Sequence, residues 1–124
     1  MPQTRWTTAT ILNGEATSNA LDVVFGERLV AVETPAAWTA ADVVIQVSRD
    51  GTNYLDLKDI IGTIIRITNV GLAAAECRIV ANDLTAIDLP LGPHKIRLRS
   101  CNTANANNVN QGADRVLYVA LERD

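Results

Sequence analysis

Short runs in which apolar and polar residues alternate dominate this chain, and helical periodicity is nearly absent. A period of two is typical of a β-strand that buries one face, whereas an amphipathic helix repeats its apolar residues every three to four positions. The pattern predicts strands at residues 5–12, 20–25, 28–33, 43–48, 54–58, 63–70, 76–81, 84–89, 94–99 and 115–122. The last of these is apolar on both faces, so we expect it to lie centrally in its sheet.

Glycine- and asparagine-rich segments separate these strands. Asp50-Gly51 stands between two of them, and this dipeptide favours hairpin turns whose central residues take a positive φ. We therefore predict a β-hairpin over residues 43–59. Residues 35–41 form the one plausible short helical or irregular crossing, and the asparagine-rich stretch 101–114 predicts an exposed loop.

Short strands with regular turns and no helical crossovers predict an all-β protein, namely an antiparallel β-sandwich. A jelly roll is the first topology that we expect, and an immunoglobulin-like sandwich is the second. The length of 124 residues indicates a single domain over residues 1–124. Residues 1–12 are either an N-terminal arm or an edge strand of that domain.

The composition predicts an aliphatic core, because aromatic residues make up only 4% of the chain. They are Trp6, Phe25, Trp38, Tyr54 and Tyr118. The net charge is −3, and basic residues form no long cluster. The alternation in 94–99 places Lys95, Arg97 and Arg99 on one face, which we interpret as a solvated strand face rather than a nucleic-acid surface.

Catalytic and metal-binding patterns are not found in the sequence. His94 is the only histidine, and the carboxylates show no spacing that would make an acid–base pair. Together with Cys77 and Cys101, His94 supplies too few ligands for a zinc site. We therefore expect no enzyme activity, no metal and no cofactor. Without a signal peptide or a membrane-spanning segment, the chain is expected to be made and kept in a cytoplasm, with both cysteines as free thiols.

Four residues are candidate contact residues. Arg5 and Trp6 lie in the N-terminal segment, which could dock as an arm on a neighbouring subunit. Trp38 is expected to anchor the two sheets, with a subunit contact as the alternative. Tyr54 ends "SRDGTNY", which is similar to the Asp-box of carbohydrate-active proteins but lacks one residue. A sugar-binding sandwich would be expected to expose two or three aromatic rings on one face.

Several short motifs, taken in order, resemble those of small β-sandwich structural proteins of tailed phages and gene transfer agents. The motifs are SNAL at 18–21, PAAWTA at 35–40, QVSRDG at 46–51, DIIG at 59–62, RLRS at 97–100 and VNQGADR at 109–115. The resemblance covers about residues 13–121, and residues 63–93 match it least.

This resemblance implies a non-enzymatic virion protein that decorates the capsid or forms the base of a head spike or fibre. The expected partners are further copies of the chain, as a trimer before a dimer or pentamer, and the major capsid protein or other virion proteins. A monomer that becomes ordered only on the particle is the alternative. Neither a membrane nor direct nucleic-acid contact is expected, and the implied location is the virion, assembled in the bacterial host cytoplasm. A tail or baseplate protein and a carbohydrate-binding sandwich remain the alternatives.

Overall fold

The structure is a computed structural model that describes residues 3–24, 26–35, 37–58, 61–67, 77–79, 87–88 and 94–123. For residues 77–79, 87, 88 and 94 only the backbone is described. Over these ranges the chain contains ten strands and no helix. The strands are β1 Gln3–Ile11, β2 Leu21–Val23, β3 Arg28–Glu33, β4 Asp42–Ser48, β5 Leu55–Asp56, β6 Arg66–Ile67, β7 Cys77–Ile79, β8 Ile87–Asp88, β9 His94–Cys101 and β10 Arg115–Arg123.

The strands form two antiparallel sheets, which confirms the predicted all-β sandwich. In the first sheet the order is β1-β10-β3-β7, and β8 also pairs with β3. In the second sheet the order is β2-β9-β4-β5, and β6 also pairs with β4. The short strands β7 and β8 pair with different parts of β3, as β5 and β6 do with β4, so each pair occupies one outer position of its sheet.

An aliphatic core lies between the sheets, as the low aromatic content predicted. Alternate residues of the long strands point inwards, and each leucine or isoleucine so buried contributes about 1.5–3 kcal/mol. The core comprises Ala9, Ile11, Leu21, Val23, Leu29, Val32, Val43, Ile45, Ile67, Ile96, Leu98, Leu117, Val119 and Leu121. Trp38, Val47, Leu57 and Ile65 pack at its margin.

Strand β10 lies between β1 and β3, so its predicted central position is confirmed. Its outer face is partly open to solvent, because the side chains of Val116 and Tyr118 are exposed. In a two-layer sandwich the opposite sheet covers only one face of each sheet. Consecutive apolar residues on β10 therefore leave part of an apolar face in contact with solvent.

The predicted hairpin is present over its described residues 43–58, but its turn is longer than an Asp-Gly turn alone. Gln46 pairs with Asp56 and Val47 with Leu55, so residues 48–54 form the connection. Gly51 has the expected positive φ of 81°. The Asp50 carboxylate accepts hydrogen bonds from the N–H groups of Thr52 and Asn53 at 2.8 and 2.9 Å, and these bonds lower its pKa. "SRDGTNY" is therefore a carboxylate-capped structural turn.

The structure of the N-terminal residues and of the crossing at 35–41 decides between alternatives that the sequence left open. Residues 3–11 pair with β10 without interruption, from Gln3 opposite Arg123 to Ile11 opposite Arg115, so they form an edge strand and not a free arm. The described residues of 35–41 form an irregular crossing. Strand β6 is shorter than the predicted strand 63–70, of which residues 68–70 lie outside the described ranges.

Candidate interaction surfaces

An aromatic patch lies on the outer face of the first sheet, and we define it as Trp6, Val116 and Tyr118. Residues that face each other across β1 and β10 point to the same side of the sheet, and Trp6, Thr8 and Thr10 face Ala120, Tyr118 and Val116. Their neighbours Leu117 and Val119 point into the core. Trp6, Tyr118 and Val116 are 54%, 45% and 38% exposed. The sequence indicated Trp6, but not that β10 brings Tyr118 and Val116 beside it.

Arg5 is engaged within its own chain. Its Nε and Nη2 donate to the carboxylate of Glu27 at 2.7 and 2.9 Å, and Nη2 also donates to the carbonyl of Asp22 at 2.7 Å. This bidentate contact holds β1 against the turn between β2 and β3. The Arg5 side chain is still 43% exposed, but its guanidinium is already bound within the chain.

Trp38 is half-buried and packs against the margin of the core, in agreement with its predicted anchoring role. Its indole Nε1–H donates to the carbonyl of Ala41 at 3.3 Å. The adjacent Thr39 N–H donates to the Oε1 of Gln111 at 3.0 Å, and Gln111 is itself buried. The crossing segment is thus tied to the loop before β10.

Tyr54 lies on the outer side of the second sheet, where the guanidinium of Arg97 stacks on its ring. The Cζ of Arg97 is 4.1 Å from the ring centroid. A cation at this distance from an aromatic face is attracted to the ring and fixes both side chains. One face of Tyr54 is therefore already covered.

A polar groove lies next to this pair, and we define it as Thr17, Gln46, Asp56, Arg97, Arg99 and the loop residues 106–108. It is an open depression of ≈ 540 Å³. Its lining is mainly polar, with Gln46, Arg97 and Arg99 from the central strands of the second sheet, Asp56 from β5, and asparagines from the loop after β9. The prediction that Lys95, Arg97 and Arg99 lie on one face of β9 is thus correct.

Arg99 departs from the predicted solvated face, because it is buried and serves as a clamp for the asparagine-rich loop. Its Nε and Nη2 donate to the two carboxylate oxygens of Asp56 at 3.2 and 2.9 Å. Its Nη1 donates to the carbonyl of Ala106 at 2.7 Å and to Oδ1 of Asn108 at 3.1 Å. Burial raises the pKa of Asp56, but the hydrogen bonds from Gln46 and Arg99 outweigh it, so the net pKa is lowered.

Arg97 donates fewer hydrogen bonds than Arg99. Its Nε donates to Oε1 of Gln46 at 2.7 Å, and the Nε2 of that glutamine donates to Asp56. Within the described part of the chain, the two Nη atoms of Arg97 have no hydrogen-bond acceptor. Arg97 therefore keeps donors for a ligand at the edge of the groove.

A charged pair with a buried carboxylate lies at the start of β4. Asp42 is fully buried, accepts a hydrogen bond from the Thr103 hydroxyl at 2.9 Å and lies 3.5 Å from Nη1 of Arg66. The adjacent Cys101 is a free, buried cysteine, as predicted, and burial raises the pKa of its thiol. The side chains of Cys77 and His94 lie outside the described set.

The described ranges contain no group of three or more His, Cys, Asp and Glu side chains that could hold a metal ion. No helix in the same ranges has the length and apolar character needed to cross a membrane.

In comparisons with known proteins, no family model matches the chain and no curated protein matches it significantly.

Proposed function

We propose that this chain is a non-enzymatic structural protein of the virion of a tailed phage or gene transfer agent, which decorates the capsid or forms the base of a head spike or fibre. The observation that carries the proposal is the aromatic patch, because it places large apolar side chains at exposed positions of the edge strand β1 and its neighbour β10, where the fold does not require apolar residues. Tryptophan and tyrosine are enriched in the centres of protein interfaces. The patch therefore suits a permanent contact with another virion protein.

The order of the strands supports a jelly roll within the sandwich. If β5 with β6 and β7 with β8 each count as one position, the described strands occupy eight positions, ordered 1-8-3-6 in one sheet and 2-7-4-5 in the other. This alternation between sheets is the one expected of an eight-stranded jelly roll, a fold used by viral capsid proteins and lectins.

The charged side chains form ion pairs within the chain, which supports a structural role. Asp56 and Arg99 bind each other and hold the loop, and Glu27 is occupied by Arg5. Carboxylates with these partners have a lowered pKa, so they are poor general acids near neutral pH. These charges hold segments of the chain together instead of facing a substrate.

The proposal is tested by the amount of protein on purified particles. Trp6→Thr keeps a β-branched residue on β1 but removes the large ring, so we expect the variant to fold and to be depleted from particles by at least several-fold, measured by quantitative mass spectrometry. Leu55→Thr is the matched control, because Leu55 is 73% exposed but lies on the second sheet. Equal incorporation of both variants would contradict the role of the patch, and absence of the wild-type protein from particles would contradict the function.

A carbohydrate-binding module is the second candidate, favoured by the polar groove and the Arg97–Tyr54 stack. Asparagine, arginine and tyrosine side chains are suited to the hydroxyl groups and ring faces of sugars. Glycan-array binding by the isolated domain, lost in both Tyr54→Ala and Arg97→Gln, would favour this candidate over the virion role.

A further inference from the structure

Strand β1 is an edge strand, and the hydrogen bonds of Thr10 show which of its residues direct their backbone groups away from β10. The Thr10 N–H donates to Oδ1 of Asn19 at 2.7 Å, and its carbonyl accepts from the Asn19 N–H at 3.2 Å. Thr10 therefore turns its backbone away from β10. In an antiparallel pair the residues alternate in this respect, and the β1–β10 register is unbroken. Thr4, Trp6 and Thr8 consequently also direct their N–H and C=O groups away from β10.

These outward groups form an open edge, which we define as residues 3–8 of β1. Among the described residues, the backbone groups of Thr4, Trp6 and Thr8 have no partner, because the segment that contains Asn19 covers only the Thr10 end. Proteins commonly block such edges with proline, lysine or inward-pointing charges. Here the three outward residues are uncharged and favour strands, and the one charge, on Arg5, is held by Glu27.

We propose that this edge pairs antiparallel with the same edge of a second copy of the chain, about a two-fold axis at Trp6. Thr4 then faces Thr8 of the second copy, and Trp6 faces Trp6 of the second copy. Each such pair exchanges two hydrogen bonds, so every outward N–H and C=O of the three residues is satisfied. A shift of the register in one direction brings Thr4 against Thr10, whose outward groups Asn19 already binds, and a shift in the other carries Thr8 past Gln3, the first residue of the described strand.

The side chains are compatible with this register. A residue that faces itself across a two-fold axis is destabilising if it is charged, and the residue at that position is tryptophan. Arg5 would lie opposite Thr7 of the second copy, so like charges do not meet. Since the axis is perpendicular to the sheet, both aromatic patches lie on the same side of the dimer and form one continuous surface.

This inference rests on the backbone of β1 and not on the proposed virion role. It differs from the trimer that we expected first, because self-pairing of a single edge closes after two copies. If the virion role also holds, the joined aromatic patches give the dimer one enlarged surface with which to dock on the particle.

The first test is the mass of the full-length protein in sedimentation-velocity experiments. We expect the wild type to sediment with twice the mass of the chain. Thr8→Pro removes an outward N–H and should yield the monomer with almost unchanged thermal stability, since proline is tolerated where an edge N–H faces solvent. Thr7→Pro is the matched control, because it removes an N–H directed at β10 and should lower the thermal stability.

The second test substitutes Trp6, which faces itself across the proposed two-fold axis. It tests the dimer even if Thr8→Pro fails to fold. Trp6→Lys and Trp6→Glu should each be monomeric, because two like charges would meet at the axis, and an equimolar mixture should recover the dimer mass as a heterodimer. A wild type that sediments as a monomer or trimer would overturn the proposal. So would a dimer that persists in both single variants, or two monomeric variants that do not associate when mixed.

Discussion

Glu27 is only 3% exposed, yet its contacts hold it in the charged form. Its carboxylate accepts two hydrogen bonds from Arg5 and one, at 2.6 Å, from the N–H of Val24. The bond from Arg5 is the main reason that the pKa of Glu27 is lowered. Because the folded state then binds fewer protons than the unfolded state, this contact stabilises the fold above the ordinary glutamate pKa of about 4.3 and is lost as the pH falls below it.

We therefore predict that Glu27→Gln lowers the free energy of unfolding by about 1–3 kcal/mol near pH 7, the usual contribution of hydrogen bonds to charged groups. The difference from the wild type should shrink as the pH falls below the ordinary glutamate pKa of about 4.3, because protonation of the wild-type carboxyl then favours the unfolded state. Chemical denaturation at several pH values measures it. In a double-mutant cycle with Arg5→Met, the coupling energy should decline over the same range, and a coupling energy independent of pH would contradict this account.

The sequence identified Arg5 and Tyr54 as notable but could not assign their contacts. Glu27 is 22 residues away from Arg5, and Arg97 reaches Tyr54 from a different strand. Neither contact can be predicted from the periodicity of the sequence, because both depend on which strands become neighbours in the fold. Gly51 could be predicted because a positive φ is a local property of the turn.

Arg99 binds the loop after β9 at Ala106 and Asn108, and this contact can be tested at the scale of the element. We predict that Arg99→Met lowers the free energy of unfolding by about 1–3 kcal/mol, since it leaves the partly buried Asp56 carboxylate without its main partner. The variant should also be cleaved faster by protease within residues 102–110, because the bonds to Ala106 and Asn108 are lost.

Arg97→Met is the matched control, because Arg97 lies two residues away on the same face and does not bind the loop. Its stability and cleavage rate should stay near those of the wild type. If the two variants are cleaved equally fast, Arg99 is not the clamp.

Strand positions were predictable because a period of two is local, and β3 begins and ends where the pattern placed it. Strand pairing was not predictable in the same way. The exposure of Val116 and Tyr118 follows from how many layers the fold has, and the open edge of β1 follows from its place at the end of the sheet order. Composition and alternation indicate a sandwich but do not specify which strands lie at its edges.

The outer faces of the two sheets differ in character, and this difference bears on the proposed function. The first sheet presents the aromatic patch beside an open edge, and the second presents a polar groove whose charged residues bind one another. An assembly surface and a solvent-facing surface would be expected to differ in this way, because interface centres are depleted of charge. The first sheet is therefore the side expected to contact other virion proteins.

The most direct measurement is a cryo-EM reconstruction of purified particles from a strain that carries the gene, combined with mass spectrometry of the same particles. The proposed function predicts density for the sandwich at symmetry-related positions, with Trp6 and Tyr118 buried against a neighbouring protein and the polar groove facing solvent. Particles that contain no copy of the protein, or a reconstruction in which the first sheet faces solvent throughout, would contradict it.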